Sequence, residues 1–134
     1  MIKRIISCII IFTMTLMVAS TAFAEVGIVD TYTYVDYDDS PTHRSNNGRV
    51  GVSYSAYTIP STHVCQLIIK IIENKAFGPA AYDVFETSSG NRFSDYHLFT
   101  GLPIATNMKT RFTKSPVVHP NQMRVAFEIN TETA

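Results

Sequence analysis

Tryptophan is absent from this 134-residue chain, and cysteine occurs only twice, at Cys8 and Cys65. There is no Gly-x-Ser-x-Gly step to present a nucleophilic serine on a strand-to-helix turn. The four histidines, His43, His63, His97 and His119, lack the i,i+2 or i,i+4 pairing from which many zinc sites are built. Asp83 and Glu86, which with Asp95 are the carboxylates on offer for glycoside hydrolysis, fall on opposite sides of one strand. Neither sign of charge predominates, with eleven Lys and Arg against eleven Asp and Glu, so no strong field selects nucleic acid as a partner. These gaps argue against an enzyme, and no cofactor is expected.

Long apolar runs are also missing, except at the start. Lys3 and Arg4 precede an uncharged stretch from Ile5 to Val18, which ends in the small residues Thr21-Ala22-Phe23-Ala24. A basic start, an apolar segment of this length and an A-x-A ending make a secretory signal, with the cut expected after Ala24. The run is shorter than the roughly 20 apolar residues of a spanning helix. Cys8 lies too far upstream of the cut to carry a lipid, so no stable membrane anchor is expected and the product should be secreted, as in a bacterial exported protein. Residues 25–134 then form a single domain with nine bases, eleven acids and a net charge of −2. With Cys65 as its only cysteine, that domain cannot close an internal disulfide, and packing alone must hold it.

What is present is a succession of short β-prone runs, each closed by turn-forming residues. Strands are predicted at about 28–37, 49–59, 64–73, 80–87, 93–100, 108–113 and 122–130. Asn46-Asn47-Gly48, Pro60-Ser61, Ser88-Ser89-Gly90-Asn91 and Gly101-Leu102-Pro103 lie between them. In the last run Met123, Val125, Phe127 and Ile129 alternate with polar residues, as in a strand buried on one side. Cys65, Leu67, Ile69 and Ile71 mark the inward face of a central strand. The expected fold is an all-β antiparallel sandwich of about seven strands.

The segment His97–Phe112, HLFTGLPIATNMKTRF, resembles the corner of fibronectin type III domains, where a strand ends in Gly-Leu-x-Pro-x-Thr-x-Tyr and an alternating strand follows. Gly101, Leu102 and Thr106 fit, as does the alternation Met108, Thr110, Phe112. Pro103 comes one place early, and Met108 stands where the corner tyrosine would be, so the hydroxyl tie of that corner is missing. The resemblance covers about 16 residues and implies an immunoglobulin- or fibronectin-like sandwich architecture.

Residues 34–49, YVDYDDSPTHRSNNGR, gather Asp36, Asp38 and Asp39, the candidate oxygens for a calcium ion. Pro41 interrupts the segment, Gly48 comes late and no glutamate closes it, so a solvated inter-strand loop is the expectation. The seven tyrosines are the stronger positive signal. Tyr32 and Tyr34 share a strand face with Asp30 and Asp36, and with Tyr57 they are candidate binding rings, able to stack on sugars or pack against a protein. Lys109, Arg111 and Arg124 would form one basic patch if their strands paired as a hairpin, completing the candidate ligand-binding set. The acidic residues 25–39 could face that patch, or dock on it in another copy to give salt-sensitive self-association. The resulting expectation is a secreted, non-catalytic protein that binds a protein or cell-surface ligand. The alternative is a small membrane-active toxin or bacteriocin, with a hydrolase or hydrolase inhibitor less favoured.

Overall fold

The computed structural model describes residues 27–75 and 80–131; the expected leader, residues 1–24, lies outside them. Eight strands follow one another along the chain: β1 (Gly27–Tyr34), β2 (Tyr37–Asp39), β3 (Val50–Ile59), β4 (Gln66–Glu73), β5 (Ala81–Glu86), β6 (Arg92–Phe99), β7 (Met108–Ser115) and β8 (Gln122–Asn130). They pair antiparallel into two four-stranded sheets of order β1-β8-β3-β6 and β2-β7-β4-β5. The two-sheet sandwich expected from alternation is therefore what forms. Its first predicted run is two strands, because the chain leaves one sheet after Tyr34, turns through Val35 and Asp36, and joins the other at Tyr37. That crossing puts β1 beside β8 and β2 beside β7, a jelly-roll order instead of the immunoglobulin or fibronectin order.

Alternation decides what each sheet buries. In β3, Val50, Val52, Tyr54, Ala56 and Thr58 turn inward while Ser53, Ser55, Tyr57 and Ile59 stay exposed. Leu67, Ile69 and Ile71 of β4, Met108 and Phe112 of β7, and Met123, Val125, Phe127 and Ile129 of β8 fill the space between the layers. The sheets meet through Phe112 and Phe127, whose ring centroids are 4.7 Å apart, and through His97, stacked at 3.8 Å on Phe85. Cys65 is buried at the head of β4, so its thiol belongs to the core.

The edges of the first sheet carry matching carboxylates. Asp30 of β1 and Asp95 of β6 stand at the two ends of one cross-strand row whose middle members are Phe127 and Tyr54. Each accepts a hydrogen bond from the next residue's N–H, Thr31 at 2.7 Å and Tyr96 at 2.8 Å, and both are exposed at the rim. Carboxylates on inward-alternating positions discourage a further strand from adding to an edge. β2, an edge of the second sheet, is only three residues long.

The segment between β2 and β3 is exposed at Pro41, Thr42, Arg44, Asn46, Asn47 and Arg49, as expected of a solvated loop, but is pinned at the buried residues between them. Ser40 N–H donates to the Thr110 carbonyl and Thr110 N–H donates to Ser40 Oγ, both at 2.9 Å. His43 exchanges two backbone hydrogen bonds with Met108, and buried Ser45 donates to the Arg49 carbonyl at 2.7 Å while accepting from Arg49 N–H. Gly48 closes the segment with φ 73°, and an added Cβ there would lie 2.9 Å from the Leu102 carbonyl oxygen. Only glycine meets both conditions without strain.

Lys114 departs from the pattern. It occupies an inward position of β7 opposite Leu67, is fully buried, and donates from Nζ to the Pro116 carbonyl at 2.9 Å. Burying an ammonium with one neutral acceptor costs free energy that an unbranched apolar side chain would not. Lys114→Met should therefore keep or raise the denaturation midpoint in a urea titration. A loss of more than about 1 kcal/mol would instead show that the ammonium holds the β7–β8 turn in place.

Candidate binding face

The outer face of the first sheet is ordered by its register into rows that cross all four strands, three of which follow the row Gly27–Asn130–Gly51–Leu98. One row runs Val29–Glu128–Ser53–Tyr96, the next Thr31–Ala126–Ser55–Ser94, and the third Thr33–Arg124–Tyr57–Arg92. The middle row has only small side chains, and with Val29, Ser53 and Glu128 of the first row and Asp30 and Asp95 at the rims it lines an open trough of about 480 Å³, beside which the third row stands. On one side Tyr57, 37% exposed, stands between Arg124 and Arg92, with the Arg92 guanidinium 6.0 Å from the ring centroid. That arrangement offers a π-face, two cations and a line of hydroxyls within one surface. On the other side Tyr96 folds its ring over Gly51, where an added Cβ would lie 2.5 Å from the phenolic oxygen.

Of the six residues singled out for ligand binding, Tyr57 and Arg124 are brought together here as direct cross-strand neighbours. Tyr34 is not on this face: it is buried in the core with its hydroxyl 3.5 Å from the Met123 sulfur, which corrects its place among the exposed rings. Tyr32 also turns inward, half-buried and packed at 5.1 Å against Phe127. Burial is the largest cause of the upward shift of both phenols, so neither is a proton donor near neutrality. The alternation that places Asp30 in their row gave that face its amphipathic appearance in the sequence; Asp30 reaches solvent because β1 is an edge.

Lys109 and Arg111 do not join Arg124 in one basic patch. β7 and β8 belong to different sheets, so the two groups face opposite sides of the sandwich. Arg111 is already engaged: Nε and Nη2 fork onto the Asp39 carboxylate at 2.7 and 2.9 Å, and its guanidinium sits 4.2 Å from the Tyr37 ring centroid. The hydrogen bond to Asp39 raises the Arg111 pKa further, so the guanidinium stays charged. The acidic and basic segments thus meet within the chain at this point.

The same fork disperses the aspartates considered for calcium. Asp39 is held by Arg111, Asp38 accepts the Asp39 N–H at 2.9 Å, and Asp36 lies 3.4 Å from His119 Nε2. Among the described residues no three His, Cys, Asp or Glu side chains are grouped as a metal would need. Nor is any helix among them long and apolar enough to cross a membrane.

Arg92, Thr31, Ser55, Ser94 and Ala126 were not singled out in the sequence. Their shared face follows only from which strands are neighbours, although the exposed alternation Ser53, Ser55, Tyr57 was a local sign of it. Compared with known proteins, the chain matches no family model and no curated sequence.

His43 is the other residue whose chemistry the fold alters. Its ring is buried, with Nε2 2.9 Å from Thr110 Oγ1, and burial lowers its pKa to about 4. The folded state therefore binds its proton less readily than the unfolded chain, whose histidine titrates near 6.5. Stability from this group is fully present above about pH 6.5 and is lost as pH falls toward 4, by roughly 3 kcal/mol in all. Chemical denaturation of the wild type should show that decline, and His43→Gln should remove most of it. A residual slope of the same sign is expected from His97, whose pKa burial also lowers.

Proposed function

We propose that this chain is an exported, non-catalytic binding module, and that the outer face of the β1-β8-β3-β6 sheet holds its ligand, a protein segment or a chain displayed at a cell surface. The single observation that supports this reading most is the cross-strand trio Arg124–Tyr57–Arg92 beside a trough floored by Thr31, Ala126, Ser55 and Ser94. Rings flanked by guanidiniums are frequent anchors at binding surfaces, because they supply contact area and directed hydrogen bonds at small entropic cost. A trough crossing every strand suits an extended ligand, whose backbone N–H or hydroxyl groups would hydrogen-bond along the floor and to Glu128, while any anionic group reaches past the trough to the arginines beside it.

The purified domain is expected to be retained on intact bacterial cells or on isolated cell-wall material and to leave dye-loaded liposomes sealed. Tyr57→Ala combined with Arg124→Ala should cut retention at least tenfold, the loss expected when a buried anchor is removed. Lys109→Ala, on the opposite face, should stay within about twofold of wild type. Equal losses from both changes, or rapid dye release from the liposomes, would overturn the assignment of this face and favour membrane activity.

A further inference from the structure

At one end of the sandwich, away from the rows just described, a half-enclosed cavity of about 360 Å³ lies between the β2–β3 segment and the ends of β1 and β8. That volume falls within the size range of small-molecule sites. Ile28 and Ile129 give it an apolar wall, Thr42 and Thr131 contribute hydroxyls, and Arg44 brings a guanidinium; no carboxylate is among the described residues that line it. His43 also lines the cavity. The residue is 7% exposed, and although Nε2 is tied to Thr110 Oγ1, the buried Nδ1 has no hydrogen-bond partner among the described residues. Buried polar atoms in native proteins are almost always satisfied, so an orphan nitrogen on a residue that lines a cavity, just behind its wall, asks for an occupant that a small turn of the ring would reach.

We propose that this cavity binds a small carboxylate bearing a short apolar tail. The carboxylate sits between the Arg44 guanidinium and His43 Nδ1, and the tail packs on Ile28 and Ile129. With the Thr110 hydroxyl as donor to His43 Nε2, the tautomer this proposal requires, the imidazole proton stands on Nδ1 and can donate to the ligand. Arg44 is steadied by donating from Nε to Asn107 Oδ1, so less freedom is lost when its outer nitrogens take up an anion. A single water could satisfy Nδ1, but it would leave the guanidinium and the apolar wall without a role.

The test is an NMR titration of the protein with butyrate, and with 1-butanol as its neutral counterpart. Butyrate is expected to shift the amide signals of His43, Ile129 and Thr131 saturably, with the His43 ring nitrogens reporting the proton on Nδ1, whereas butanol should bind at least tenfold more weakly. Arg44→Ala, a change at an exposed position, should abolish saturation while leaving the spectrum folded. His43→Gln should weaken binding about tenfold if it folds, and Arg44→Ala decides the matter if it does not. Tyr57→Ala with Arg124→Ala should leave butyrate binding unchanged, which separates this site from the sheet face. Absence of saturable shifts, equal binding of butanol, or full binding by Arg44→Ala would each overturn the proposal.

Discussion

Phe112 of β7 and Phe127 of β8 come from different sheets, and their rings meet in the middle of the sandwich at 4.7 Å. The space they share with Leu67, Ile69, Met108, Met123 and Ile129 is the constraint from which the remaining features follow. With one buried cysteine and no internal disulfide, the described domain depends on this apolar layer to oppose the entropy of ordering the chain. Every strand must keep its register to supply it, since a slip of one residue would carry its apolar set to the solvent side. The outer rows are therefore fixed by the inner ones: Tyr57 and Arg124 stand side by side because Ala56 and Val125 are paired beneath them.

The same constraint explains why neighbours in sequence are separated in space. Successive strands β6, β7 and β8 alternate between the two sheets, so a charge on β7 and a charge on β8 look out on opposite sides. Arg111 finds Asp39 on β2, and Arg124 finds Tyr57 on β3. The two outer faces acquire different characters. One has a forked ion pair capped by the Tyr37 ring; the other has a ring between two guanidiniums and a floor of small side chains.

Much of the fold was legible in the sequence because alternation is a local signal. The runs around 49–59, 64–73 and 122–130 were located to within two residues of β3, β4 and β8, and Cys65 was placed inside correctly. The break at Val35–Asp36 was not visible, because Tyr32, Tyr34, Val35 and Tyr37 are all good strand formers and nothing in their chemistry announces a change of sheet. The fibronectin-like arrangement rested on the short likeness around Gly101-Leu102, and the basic patch on a β7–β8 hairpin; neither local signal carries which sheet a strand joins. Missing the crossing at Val35–Asp36 concealed the role of the segment after β2, whose Ser40, His43 and Ser45 read as loop residues but bond to β7 and to the approach to β3. Of the candidate surface, only Tyr57 and Arg124 could be named in advance. Their partner Arg92 and the trough floor depend on long-range pairing, which composition and spacing do not encode.

Asp30 and Asp95 occupy the two ends of the row that also contains Phe127 and Tyr54. A visiting chain laid along either rim would strip water from a carboxylate and bring its own carbonyls toward it. Copies held at high local density, as on a crowded surface, should thus not zip together along the rims of this sheet into continuous ribbons, leaving its broad side open.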